Sequence, residues 1–320
     1  TDVLLRVAAV GVCGTDMHYY KHGRIGTQTV SYPFTIGHEC GAIVEEVGTA
    51  VTRVKPGDRV AVDPAHGCMT CDQCQAGRFN TCRQVRFLGS PASEDGCLAE
   101  YIVTSEHCCF PIRDQTSFIQ AAYVEPLSIG VYSVEQAGLL DEARVGILGA
   151  GSIGLNVLLV AKEKGAAQTY ITDPLDYRLD VARSLGAGWT GNPDKVNIVN
   201  EILDQEPQQL DAVFECCGEQ TAVDQALELL KPGGRLIIVG SLLGEQVAFT
   251  VDLLRRKEIS IFNIRRQSQF TQAALDLIEQ GKVDTSALIT HTFDFQDAKE
   301  AFELAVAYAD GVIKASIIMP

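Results

Sequence analysis

At 320 residues the chain is long enough for two domains with a well-buried core, and its 46% hydrophobic and 21% charged residues are those of an ordinary soluble globular protein. A net charge of −15 excludes the basic footprint of a nucleic-acid binder, and no Lys/Arg run offers itself to an anionic membrane. Eleven cysteines would suggest disulfides in a small secreted protein, but in a chain this large they point to thiol and metal chemistry in a reducing, cytoplasmic compartment.

The opening stretch "TDVLLRVAAVGVCG" reads as an apolar strand running into a turn, with Cys13 between Gly11 and Gly14 and followed by Thr15 and Asp16. It starts with Thr rather than Met, in the middle of a strand-like run, so a preceding segment is expected. Next, "FTIGHECGAIVEEVG" sets His38 beside Glu39. Adjacent side chains of a regular strand point to opposite faces, so the two share one task only if the backbone bends. Gly37 and Gly41 permit a bend; without one, His38 is a core histidine and Glu39 faces solvent. Short apolar runs broken by turn signals such as "VKPGDRVAV" continue to about residue 110 and suggest a compact β-rich unit.

Inside that unit "CMTCDQCQAGRFNTC" places Cys68, Cys71, Cys74 and Cys82 at C-x2-C-x2-C-x7-C. Four thiolates this close can wrap one tetrahedral ion, and a closed shell of four cysteines describes a structural zinc. An iron–sulfur cluster is the rival, but its cysteine runs continue with x3-C-P, whereas here the fourth cysteine is farther on and precedes Arg83. Cys40, Cys97, Cys108, Cys109, Cys216 and Cys217 lack such spacing and are expected to be small buried residues. In "AAYVEPLSIGVYSV" a single carboxylate, Glu125, stands in an apolar run, which is costly unless it is paired or near a cation.

From about residue 130 the pattern becomes strand–helix alternation. "ARVGILGAG" is a buried strand, "SIGLNVLLVAKEKG" a helix and "QTYITD" a strand; further alternation through "LDAVFECCG" and "RLIIVG" specifies an α/β, doubly wound parallel sheet. The uncharged run Val145 to Ala161 is short for a membrane span and carries four glycines, so no span is expected. Between the first strand and its helix lies "GAGSIG", Gly149 to Gly154 with Ser152 and Ile153, a G-x-G-x-x-G turn. Gly149 allows the tight turn, Gly151 lets backbone approach a pyrophosphate, and Gly154 lets the helix pack closely with its N-terminal dipole toward the phosphates. Asp173 ends the next strand, where a carboxylate accepts from both ribose hydroxyls and repels a 2′-phosphate, favouring NAD over NADP. Arg178 lies nearby, at the cofactor or solvated on its helix. After about residue 265 mixed elements return, so the plan is a β-rich domain of residues 1–129 and 266–320 interrupted by a dinucleotide-binding domain of residues 130–265.

Taken together, "CGTDMHYYKHGRIG", "GHE", "VKPGDRVAV", "EPLSIG", "GAGSIG" and "LITHTF", in this order along the whole chain, resemble the zinc-dependent medium-chain dehydrogenases, more narrowly their sorbitol (polyol) dehydrogenase branch. The resemblance implies a GroES-like catalytic domain joined to a Rossmann domain, and a homo-oligomer, dimer or tetramer. It implies a catalytic zinc held by Cys13, His38 and Glu39, with Glu125 either ligating or holding a zinc-bound water, besides the structural zinc. Alcohol dehydrogenases carry cysteine where this chain has Glu125. The implied reaction moves hydride from a secondary alcohol of a small polyol to NAD and gives a ketose, with zinc as Lewis acid and Thr15 in a proton relay, Glu125 and zinc-bound water being the other candidates for it. Tyr19 and Arg266 match substrate-pocket positions. Gln267 departs from the tyrosine of animal sorbitol dehydrogenases, which also lack the four-cysteine lobe. L-Threonine 3-dehydrogenase, sharing the Cys-Gly-Thr-Asp, Gly-His-Glu and four-cysteine motifs, is the rival enzyme, with inositol or galactitol as other substrates. A non-catalytic nucleotide or redox sensor is expected to have lost Cys13, His38 or Glu39, and all three are present.

Overall fold

The structure, a computed structural model, describes residues 1–91, 93–138, 141–241 and 246–320. The chain forms two compact units, Thr1–Ser128 with Arg266–Pro320, and Ile129–Arg265.

The first unit is built on a seven-stranded sheet. Its order is Ile289–Asp294, Lys314–Ile318, Asp2–Gly11, Glu39–Val47, Arg59–Val62 and Cys109–Pro111, with Tyr101–Ser105 also paired to Asp2–Gly11. The strand Asp2–Gly11 follows the two-residue period of a half-buried strand: Val3, Leu5, Val7 and Ala9 are fully buried. Val3, Leu5 and Val7 join Val44, Val60, Val62, Phe302 and Ile317 in one apolar core. Each such side chain contributes about 1.5–3 kcal/mol of burial. The register matters more for function than the sum. Gly11 pairs with Glu39 on one side and with Ser316 on the other, so the ends of three strands meet at one place.

Glycines shape that place. Gly37, with φ of 99°, takes the bend before His38. Gly41 sits within Glu39–Val47, where a Cβ would strike the Phe118 carbonyl and come within 2.9 Å of Ala121 Cβ. The first turn of the helix Phe118–Ala137 therefore lies directly on this strand. Glu125, four residues after Ala121, falls on the same helix face and is carried to the strand's beginning. The apolar run around Glu125 is thus helical throughout, with Pro126 inside it.

The second unit is a six-stranded, all-parallel sheet in the order Trp189–Gly191, Gln168–Thr172, Arg144–Leu148, Leu210–Glu215, Leu230–Ile238, Ser260–Asn263. Numbered along the chain this is 3-2-1-4-5-6, the Rossmann order. Val145, Ile147, Ile171 and Phe214 are fully buried, as continuous apolar strands covered on both faces require, and Leu155 and Leu158 of the helix Ser152–Glu163 are buried too. The expectation for the isolated cysteines divides here. Cys40, Cys97, Cys108 and Cys109 are buried, but Cys216 is half-buried and Cys217 exposed. The strand ends at Glu215, so the last two lie in the turn beyond it, under Gly149.

Candidate metal centres and nucleotide turn

Cys13 stands immediately before the helix Gly14–His22, whose third residue is Asp16. Asp16 is fully buried and its carboxylate gathers the surrounding loops. It accepts from the Cys13 amide at 3.4 Å and the Gly37 amide at 3.3 Å, and lies 3.5 Å from Nδ1 of His38. With Nδ1 turned toward Asp16, Nε2 is the nitrogen left for a metal. Burial alone would push His38 down, but Asp16 and then Cys13 outweigh it and hold the imidazole well above its ordinary value. Sulfur, ring nitrogen and carboxylate oxygen of Cys13, His38 and Glu39 all lie within 4.8 Å of one another. The bend at Gly37 answers how neighbours on a chain come to face one place.

Glu39 is 1% exposed, and its side chain crosses Gly11, where a Cβ would overlap Oε2. Lys314, 3% exposed, donates to both Glu39 oxygens at 2.7 and 2.8 Å and to the Val12 carbonyl at 3.1 Å. Burial disfavours the ammonium, but Glu39, Cys13 and Glu125 together hold it above its ordinary value. Glu125 falls outside the mutually close set of donors. Burial pushes it up to about 8, with Glu39 adding and His38 and Lys314 opposing.

Three donors of sulfur, nitrogen and oxygen type, held by a buried carboxylate behind the histidine, suit a zinc with an open position. The four-cysteine lobe suits a closed one. All four sulfurs of Cys68, Cys71, Cys74 and Cys82 lie within 4.8 Å of one another, and Cys71 and Cys82 are 3.9 Å apart. Zinc–sulfur bonds of about 2.3 Å require tetrahedral edges of roughly 3.8 Å. Amides of Cys68, Cys71 and Gln84 point at the sulfurs. Hydrogen bonds from Thr70 bring Cys68 down to about 6, whereas burial pushes Cys74 up to about 12.

The remaining candidates occupy varied surroundings. Thr15 is half-buried in the first turn after Cys13. Tyr19 is 3% exposed and its hydroxyl donates to Gln28 Oε1 at 3.1 Å. Arg266 stacks on Phe87 with its guanidinium carbon 3.6 Å from the ring centroid, and the same ring lies 5.4 Å from that of His38. Gln267 is buried, donating to Asp63 at 2.6 Å and Thr271 at 3.0 Å. It braces the scaffold beneath Arg266. Sequence reasoning missed Lys314 and gave Asp16 no task. A lysine amid the apolar residues of "VIKASIIM" was the available signal for the first, and the helix-opening spacing Cys13 to Asp16 for the second.

In the second unit Gly149 has φ of 106°, and a Cβ on Gly154 would collide with the Gly149 carbonyl. Both glycines are thus required by the turn itself. Gly151 precedes the helix Ser152–Glu163, so the free amides of Ser152, Ile153 and Gly154 open its N-terminus. Asp173, 4% exposed, accepts from the Ala150 and Leu175 amides at 2.9 Å each, and Arg178 is 3.4 Å away. A carboxylate has about four acceptor positions, so it latches the turn and keeps capacity for a ligand. Arg178 is accordingly tied to Asp173 rather than solvated.

Comparison with known proteins agrees with both halves. Residues 1–114 match the alcohol dehydrogenase GroES-like domain and residues 152–280 the zinc-binding dehydrogenase domain. The chain is 34% identical over 317 residues to sorbitol dehydrogenase of Bacillus subtilis (strain 168), covering 99% of this chain and 90% of that one. It is 36% identical over 314 residues to L-idonate 5-dehydrogenase of Vitis vinifera, covering 94% and 84%. A Sinorhizobium meliloti 1021 structure described as a zinc-binding dehydrogenase, bound to NADP, superposes with a TM-score of 0.90 at 31% identity, covering 99% and 92%. The chain belongs to the zinc-binding alcohol dehydrogenases, oxidoreductases that work with zinc and a nicotinamide dinucleotide.

Proposed function

We propose that the protein oxidises a secondary alcohol of a small polyol, of the sorbitol, iditol or xylitol kind, to the ketose, passing hydride to NAD. The observation that carries this is the three-donor cluster of Cys13, His38 and Glu39 with polar groups around it: buried Glu125, within electrostatic reach of His38 and Glu39, and Arg266 reached through Phe87. A polyol brings further hydroxyls that need partners, and Glu125 and Arg266 are groups able to supply them. The named relatives act on sorbitol and L-idonate, which accords with this reading.

Cys13, His38 and Glu39 would hold the catalytic zinc, and Cys68, Cys71, Cys74 and Cys82 the structural one. When bound, the catalytic zinc supplies a Lewis acid that favours ionisation of the substrate hydroxyl. Asp16 orients His38 and the amide of Cys13. Glu125 holds a proton at neutral pH by virtue of burial, would ionise more readily with the site loaded, and so serves as a station for the proton that leaves the substrate. The Thr15 hydroxyl is the next acceptor. Arg266 donates to substrate hydroxyls away from the reacting carbon, and Tyr19, its proton committed to Gln28, accepts from one. In the unit Ile129–Arg265 the amides of Ser152, Ile153 and Gly154 take the pyrophosphate, with Asp173 and Arg178 at the adenine ribose. Eleven free cysteines accord with work in the cytoplasm, and the family resemblance with a dimer or tetramer. Among the described residues, no helix is long and apolar enough to cross a membrane.

The test is a panel of polyols, inositols, L-threonine and 2-propanol, each with NAD and NADP, scored by kcat/KM. A polyol with NAD should lead. A site built around substrate hydroxyls rejects analogues lacking them by about 10⁴-fold, so 2-propanol should trail far behind. Equal efficiency with threonine or 2-propanol would overturn the substrate assignment, and equal use of NADP the role of Asp173.

A further inference from the structure

Lys314 is a cation buried for a reason that packing does not supply. It sits in the strand Lys314–Ile318, where its neighbours Ala315 and Ile317 are core residues. All three ammonium protons are committed: two to the oxygens of Glu39 and one to the Val12 carbonyl, the residue before Cys13. The strand itself is fixed at the same point, since the Val12 amide donates to the Ala315 carbonyl at 2.9 Å. Glu39 is therefore claimed twice, by Lys314 on both oxygens and by the donor cluster with Cys13 and His38.

On the reading of Cys13, His38 and Glu39 as the catalytic zinc site, we propose that Lys314 is a positioning residue that shares Glu39 with the metal and keeps the metal loosely held. Two features lead there. A carboxylate offers about four lone-pair positions, and two of them face Lys314, which leaves fewer for a dication. The charges point the same way. A dication, one thiolate, the carboxylates of Glu39 and Asp16 and the ammonium of Lys314 cancel while Glu125 keeps its proton and leave one negative charge once it is ionised; without Lys314 the site is one charge more negative in either state, and it would hold the dication harder. A lysine that served only to fold the strand would act in the opposite direction, because its loss would loosen Glu39 and weaken the metal.

The experiment follows release of zinc from the loaded protein to a chromogenic chelator. The catalytic ion is identified as the phase missing from Cys13→Ser, and metal content of two zinc ions per chain in the unmodified protein checks the underlying reading separately. Lys314→Met should slow that phase by at least about tenfold while the lobe's phase is unchanged. Lys314→Gln, which can still donate to the Val12 carbonyl, should slow it in the same direction. A folded variant, shown by an unchanged melting profile, that releases this zinc at the original rate or faster overturns the proposal. Failure of both variants to fold assigns Lys314 to the fold alone and overturns it too.

Discussion

The two sulfur-containing clusters of the first unit differ in almost everything but the ion they suit. The lobe takes all its donors from Cys68 to Cys82, and Cys68 and Cys71 are only partly buried. Its electrostatics are local, with backbone amides directed at sulfurs. The other cluster draws on the ends of three strands, buries His38 and Glu39 while Cys13 is partly exposed, and balances charge with side chains as distant along the chain as Lys314. A closed local shell can only hold an ion. A shell assembled from distant strands, with one place left open and acid–base groups beside it, can hold an ion and work on a ligand.

That comparison breaks most easily at Cys13. Cys13→Ser should lower kcat by roughly a thousandfold or more, since the Lewis acid is worth several kcal/mol, with the melting temperature little changed. Cys68→Ser should do the reverse, lowering the melting temperature markedly while the folded fraction at low temperature still turns over. Equal loss of activity without loss of stability in both variants would erase the distinction between working and structural sites.

The next effect sharpens what surrounds the open site. Asp16→Asn keeps the shape but not the charge behind His38, and a partner of this kind is worth roughly 10–100-fold in metal affinity or activity. Zinc titration of the metal-free variant should show that weakening in the Cys13 site alone; an unchanged affinity would make Asp16 a helix-capping residue and no more.

What was readable from sequence follows the same division. The lobe and the glycine turn are short-range patterns: spacing places four sulfurs together, and Gly149, Gly151 and Gly154 are each demanded within one strand–turn–helix. The neighbourhood of Glu39 was not readable. Lys314 reaches it only because the C-terminal strand pairs with Asp2–Gly11 in a register that no local pattern encodes. Gln267 is similar, bound to Asp63 across most of the chain. Composition was no guide to Cys216 and Cys217 either, since the place where a strand ends decides their exposure. Functional resemblance supplied Cys13, His38 and Glu39 as a set, and the fold explains the set through Gly37 and Gly11.

The smallest expected effect concerns protons. Glu125 lies at about 8 in the metal-free fold against an ordinary 4.5, so the folded protein binds the proton more tightly than the unfolded chain. The stability of metal-free protein should thus be highest below about pH 4.5 as far as this group is concerned and decline as pH rises toward 8. Thermal melts of metal-free protein between pH 5 and 9 should show this decline, and Glu125→Gln should flatten it. A decline of the same size in the variant would mean that Glu125 is not the group responsible.

The central claim, that one chain carries a closed and an open zinc site of different kinds, is tested most directly by metal analysis of the purified protein beside its Cys13→Ser and Cys68→Ser variants. The account predicts two zinc ions per chain, one in Cys13→Ser with the fold intact, and a chain that keeps the Cys13-site ion in Cys68→Ser. A single zinc in the unmodified protein, or iron in the lobe, would contradict it.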